Sequence, residues 1–357
     1  MKSFPATVVL LLFGLLKAAL AEWGCPKPED VLPCECRMHA LTYLECRHVD
    51  DPEVLRTVFQ KSANYEYNEV HLEYSSLQYL PHDMFEAVKV YELHLLNVTL
   101  NQLFDSPPEA LDQLHTLLLN NTRTLRGNVW ELLKPLKSLQ SLIIYTDTVK
   151  KLGKDFSENA PKGLQRLTFE DTQTKKLEPG VFKDFPNLNM ISINANKLEH
   201  LQRDILPVPW YGTTLHFNHN KLSEIPDDMF TQMPNLTTLG LNFNQIAAIP
   251  ESAFYGTSNL ENLLIDGNPI KCDCRLRWIY LYPQVYLRGK CESPKKLHGK
   301  ELRDVTLSDF VCNPIKCDCS IEWLVKKKLP ALSGTCESPK ELHGKELRDV
   351  SLSDLNC

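Results

Sequence analysis

The sequence predicts an α/β solenoid: a curved parallel sheet with one short strand per repeat, irregular or short helical convex segments, and disulfide-bonded ends. Three observations predict it. A 24-residue frame recurs through the middle of the chain, all twelve cysteines lie outside that middle, and the first residues read as an export leader.

The frame comes first. Residues 236–254 read "LTTLGLNFNQIAAIPESAF"; 24 residues earlier stands "GTTLHFNHNKLSEIPDDMF", and 24 residues later "LENLLIDGNPI". The shared pattern is L-x-x-L-x-L-x-x-N-x-L, then an apolar residue, often Pro, then Phe. Its second strand position falls at Leu72, Leu95, Leu119, Ile144, Phe169, Ile193, Phe217, Leu241 and Ile265, in steps of 23 to 25 residues. Chance apolar spacing does not hold register over nine copies. A repeat of this length and frame resembles the leucine-rich repeat, whose strands line a horseshoe.

The cysteines come second. Cys25, Cys34, Cys36 and Cys46 sit at one end, eight others follow residue 271, and the 225 residues from 47 to 271 contain none. Each repeat buries its leucines only against its neighbours, so the two ends expose core and an unpaired strand edge unless they are covered. The Cys25–Cys46 block is similar to the N-terminal cap of extracellular leucine-rich repeat proteins. The run Cys272, Cys274, Trp278, Cys291, Cys312 is similar to their C-terminal cap. The resemblance implies first-to-third and second-to-fourth pairing: Cys25–Cys36, Cys34–Cys46, Cys272–Cys291 and Cys274–Cys312. Thiolate zinc sites at the C-x-C pairs would need a reducing compartment.

The ending is written twice. Residues 313–357 repeat 268–312 over an equal 45 residues, with near-identity in "CESPK" and "LHGKELRDV". The second copy is either a retained alternative exon, an assembly error, or a tandem cap closed by Cys317–Cys336 and Cys319–Cys357. Even cysteine counts make each copy foldable on its own.

The leader comes third. Lys2, an apolar run from Val8 to Leu16, and Ala19-Leu20-Ala21 have the order of a secretory signal peptide, too short to span a bilayer. Cleavage after Ala21 removes Lys2 and Lys17 and takes the formal charge from −6 to −8. A mildly acidic product gives no reason to expect nucleic acid, and neither a second apolar span nor a lipid-anchor signal is legible, so the expected product is secreted. The expected organisation is leader 1–21, N-terminal cap 22–66, nine repeats over 67–267, C-terminal cap 268–312 and its duplicate 313–357.

No catalytic motif is legible: neither a G-x-S-x-G elbow, an H-E-x-x-H helix, a C-x-x-C pair nor a glycine-rich phosphate loop. A non-enzymatic protein without cofactor is expected. Alternation along the strands turns the residues between the leucines onto the concave face. There the first strands present Glu69, His71 and Glu73 beside Glu92 and His94. Two histidines on adjacent strands, about 5 Å apart, have metal-ligand spacing, but a solvated polar face is the commoner state, and no metal is expected. Further along, Leu96, Leu118, Ile143 and Tyr145 make an apolar patch. Arg166, Thr168 and Glu170 border it before a polar column of Asn194, Asn218, Asn242 and Asp266. Apolar and aromatic residues rimmed by polar ones point to a protein-binding surface, with Leu96, Leu118, Ile143, Tyr145, Arg166 and Glu170 as its candidates; lateral packing among strand neighbours is the bland alternative.

Acceptor sequons stand at Asn97, Asn120 and Asn235. Asn120 falls on an outward strand position, so a glycan there would screen the patch; either that sequon is unused or binding happens elsewhere. The ladder position holds Asn196, Asn220, Asn244 and Asn268 in the later repeats but Ser75, Val98, Thr122, Asp147 and Thr172 in the earlier ones. The first half is therefore expected to be the looser.

The N-terminal stretch "CPKPEDVLPCEC…LTYLECRHVDDPEVLRTVF" also resembles arthropod secreted proteins related to the non-catalytic, leucine-rich subunit of the shrimp (Oplophorus) luciferin monooxygenase. That resemblance implies a non-enzymatic partner or stabiliser of another secreted, catalytic chain. The doubled cap departs from the usual single one. The leading expectation is protein binding outside the cell, with an accessory subunit or an innate-immune recognition module as narrower forms.

Overall fold

The computed structural model describes residues 24–108, 111–125, 130–310, 315–327 and 336–355. The leader, Cys312 and Cys357 lie outside them. Among the described residues one twelve-stranded sheet runs in sequence order. Its strands are β1 (Glu35–Met38), β2 (Thr42–Arg47), β3 (Glu66–Glu73), β4 (Lys89–Leu96), β5 (Thr116–Asn120), β6 (Ser141–Tyr145), β7 (Arg166–Glu170), β8 (Met190–Asn194), β9 (Thr214–His216), β10 (Thr238–Gly240), β11 (Asn262–Leu264) and β12 (Tyr286–Arg288). β1 and β2 form an antiparallel hairpin, and every later pairing is parallel. The sheet stays in register because its side-chain period is two: Leu72, Leu95, Leu119, Ile144, Phe169 and Ile193 face one another in a row, and all are buried.

One to three residues after each of β2 to β11 the backbone turns left-handed. His48, Tyr74, Asn97, Asn121, Thr146, Asp171, Ala195, His219 and Phe243 all have φ near +50°, and Gly267 ends the column at +68°. This swings the chain off the sheet into the convex arc once per repeat. A β-carbon on Gly267 would fall 2.4 Å from the Phe243 ring, so glycine is required where the column meets that aromatic. The Phe243 ring stacks on His219 at 4.4 Å.

A single apolar core runs from Val31 to Phe310. In the middle repeats it is filled by Trp130, Phe156, Phe169, Phe182 and Phe185, mostly edge to face. The later repeats add an asparagine ladder. The Oδ1 atoms of Asn220, Asn244 and Asn268 accept from the N–H of Leu198, Leu222 and Ile246, while their amides donate to carbonyls of the same and the preceding repeat. Ser75 and Thr122 make two such bonds and one, and buried Val98 has no polar side-chain atom.

At the N-terminal end, Cys25 is bonded to Cys36 and Cys34 to Cys46. Helix α1 (Pro52–Lys61) starts on Asp51, whose carboxylate accepts from Glu53 N–H, and buries Leu55, Val58 and Phe59. At the other end β12 pairs with β11 and extends the sheet into the first cysteine-rich copy. Trp278 donates from Nε1 to Ile249 O at 3.0 Å and packs on Phe254. Cys272 is bonded to Cys291 and Cys317 to Cys336; Cys274 and Cys319 are also disulfide-bonded.

Candidate functional site

The inner face of the sheet carries three rows of outward side chains. The first contains Tyr43, Glu69, Glu92, Thr116, Ser141, Arg166 and Met190. The second runs Glu45, His71, His94, Leu118, Ile143, Thr168, Ser192 and His216. The third runs Arg47, Glu73, Leu96, Asn120, Tyr145, Glu170 and Asn194. Asn218, Asn242 and Asp266 continue the third row, each donating its backbone N–H to the side-chain oxygen of the preceding member.

The rows bring most of the apolar candidates together. Leu118 faces Ile143 directly, and Leu96 and Tyr145 flank Asn120. All four are half-buried, and Asn120 shares that state. Glu170 adjoins Tyr145, whereas Arg166 stands two rows away between Ser141 and Met190. The patch is thus a small apolar field with one polar position inside it. The Oδ1 of Asn120 accepts from Thr146 Oγ1 at 2.7 Å, a bond between the sheet and the left-handed column. Asn97 sits in that column, exposed, and Asn235 is exposed on the linking arc.

At the N-terminal end of the same face the character is ionic. Arg47 pairs with Glu45 and Glu73. The His71 and His94 rings stack at 4.5 Å, 23° from parallel, and Tyr43 stacks on the far side of His71. His71 Nε2 lies 2.7 Å from Glu69 Oε2, and His94 Nε2 lies 3.2 Å from Glu92 Oε2. Burial, aided by the neighbouring His71, holds His94 below the ordinary imidazole range. A third concavity lies where the last repeat meets the first cap, lined by Asp266, Tyr286, Arg288 and Glu301 among others, but Arg288 and Asp266 already pair there.

Frame counting places the two histidines on neighbouring strands; it does not show that the Glu69 carboxylate lies within reach of both. Nor does it find the column of left-handed residues, whose exposed members include Tyr74 and Phe243. The one available signal is the residue type just after each ladder strand, too varied here to read.

Among the described residues no helix is long and apolar enough to cross a membrane. The leucine rich repeat model matches residues 213–270, and the leucine rich repeat C-terminal domain model matches 290–313 and 335–357. No curated protein matches the chain. Among solved structures the chain is similar to one from the octameric complex of Latrophilin 3 (Lec, Olf), Unc5D (Ig, Ig2, TSP1) and FLRT2 (LRR). That match has a TM-score of 0.50 and 18% identity, and covers 81% of this chain and 100% of the other. At that identity the likeness is one of fold. With four disulfides closed within its ends among the described residues, the chain has the fold of a leucine-rich repeat solenoid between disulfide-bonded caps, and bonds of that kind persist in oxidising surroundings such as the outside of the cell.

Proposed function

We propose that the protein is a secreted, non-enzymatic binding module that takes another extracellular protein on the middle of its concave sheet. The observation that carries this reading is the field of Leu96, Leu118, Ile143 and Tyr145. They are contiguous in register and half-exposed, with Glu170 at the border. An aromatic on a rigid strand with aliphatic neighbours is the usual anchor of a protein interface. The polar rows around it supply orientation rather than affinity.

In this reading the sequons at Asn97 and Asn235 are compatible with binding, and Asn120 is left unglycosylated. Residues 313–357 are a second, independent cap module rather than part of the binding face. The resemblance of the N-terminal block to the non-catalytic luciferin monooxygenase subunit supports a narrower form, in which the partner is one secreted catalytic chain.

The test is affinity capture from native fluid, with mass spectrometry of what is retained. Tyr145→Ala should weaken capture of the partner by about 1–3 kcal/mol, and exposed Lys183→Ala on the linking arc should not. Equal effects from both, or a glycan occupying Asn120 in the binding-competent protein, would sink the concave site.

A further inference from the structure

We propose that Glu69, His71 and His94 form a zinc-binding site at the N-terminal end of the concave sheet. The site is built on two adjacent strands in fixed register, with His71 opposite His94 and Glu69 opposite Glu92. One donor atom from each of Glu69, His71 and His94 lies within 4.8 Å of the other two. Glu69 Oε2 is the common point, 2.7 Å from His71 Nε2 and 3.9 Å from His94 Nδ1. Zinc bonds of about 2.0–2.1 Å put tetrahedral ligands roughly 3.3–3.4 Å apart. The site therefore closes by side-chain rotation alone, on backbone positions already held by the ladder.

The surroundings match what a bound metal needs. If His94 ligates through Nδ1, its other nitrogen, Nε2, is left facing Glu92 Oε2 at 3.2 Å, the carboxylate partner that orients a ligating imidazole. The Tyr43 ring buttresses His71 from the opposite side at 6.1 Å. Arg47 is engaged by Glu45 and Glu73, and the ring nitrogens of the two histidines are the groups set against the Glu69 and Glu92 carboxylates. The local charge favours a cation. The side chains of His71, His94 and Glu69 are only 23%, 15% and 26% exposed, so little hydration is lost on binding.

Two imidazoles and one carboxylate suit Zn2+, whereas Ca2+ and Mg2+ prefer all-oxygen sets. Three protein ligands leave a position open toward the concavity. Among the described residues no cysteine is free, so thiolates do not compete for the ion.

The mature full chain, stripped with chelator, is titrated with zinc chloride by calorimetry, and bound metal is counted by mass spectrometry. One equivalent is expected. His71→Ala and His94→Ala should each abolish it, Glu92→Gln should weaken it about 10–100-fold, and His200→Ala, exposed and remote, should leave it unchanged. Should the alanine variants not be secreted, carbethoxylation of the unmodified chain decides: zinc must protect His71 and His94 and leave His200 reactive. No bound zinc, or one equivalent kept by the His71 and His94 variants, or equal labelling of all three histidines with and without zinc, would overturn the site.

Discussion

Residues 268–312 and 313–357 carry the same cysteine frame and nearly the same second half, and the structure uses that frame in two ways. Inside each copy the local devices are the same. Lys300 meets Asp309 at 2.8 Å and Lys345 meets Asp354 at 2.8 Å. Thr306 and Ser351 donate to those same carboxylates from N–H and hydroxyl. The disulfides Cys272–Cys291 and Cys317–Cys336 both span 5.5 Å between α-carbons. The surroundings differ. The first copy lends β12 to the sheet and Trp278 to the core of the repeats, whereas Cys317, Cys336, Leu342, Leu347, Val350 and Leu355 form a separate small core. A solenoid has one C-terminal edge, and the copy that reaches it first in the chain covers it. Sequence writes the cap; the open edge decides which cap is used.

The contrast can be broken most severely at Trp278. Trp278→Ala should lower the stability of the repeat body by about 3–5 kcal/mol, measured by denaturant unfolding, since it removes the ring on Phe254 and orphans Ile249 O. Replacing Cys272 and Cys291 by serine should cost about 3 kcal/mol. The same change at Cys317 and Cys336, or deletion of 313–357, should leave the melting of the body where it was. A body that melts early after that deletion would mean that the second copy is the working cap.

A smaller effect sharpens the comparison within the repeats, where one slot again meets different neighbours. Asp147 stands where later repeats place asparagine, and burial pushes its carboxyl up to about 7, against the opposing Thr122 N–H and Arg123. A raised carboxyl pKa means the folded state holds the proton longer than the unfolded one. Its cost is absent below about pH 4, grows as pH rises and is complete above about 7. Asp147→Asn should therefore stabilise by about 1–2 kcal/mol at pH 8, after solvent screening, and by nothing at pH 4. Thermal melts at the two pH values check this, and an equal gain at both would refute it. The gain at pH 8 would also tell whether the missing amide makes the first half the looser one.

The smallest effect should be the same in both copies. Thr306→Ala and Ser351→Ala should each cost about 0.5–1 kcal/mol locally, read by hydrogen exchange of the turn that follows. The Lys300 ammonium and the Thr306 donors hold the Asp309 carboxyl down at about 2, and Lys345 and Ser351 hold Asp354 below the carboxylate range. Their contribution is present above about pH 4 and is lost as pH falls through about 2, so both turns should open together in acid. Opening of only one would show that the body, not the local sequence, holds the turn.

Much of the fold was legible because one period runs through it. The rows of Leu72, Leu95 and Leu119, and the outward positions of Leu118, Ile143 and Tyr145, follow from a frame that repeats every 23 to 25 residues and a strand that alternates every two. The candidate site was legible only as far as its rows. Arg166 and Glu170 belong to one strand and read as one rim, yet they lie in rows on opposite edges of the face. Strand counting gives the row of a residue; it does not measure how near the rows stand across the curve.

By itself the sequence determined what depends on near neighbours in the chain: the repeat register, the inward leucines, the asparagine slots and the placing of the cysteines at the two ends. Tertiary structure alone decided what depends on residues some 25 positions apart meeting in space. It brought Glu69 Oε2 within 3.9 Å of His94 on the next strand, turned Asn120 toward Thr146, and stacked His219 on Phe243. It also put the first of two like caps on the only edge there was to cover. The physical reason is that backbone periodicity is set by local sterics, whereas a side-chain cluster or a docked cap needs a particular neighbour, and that neighbour exists only once the solenoid has wound.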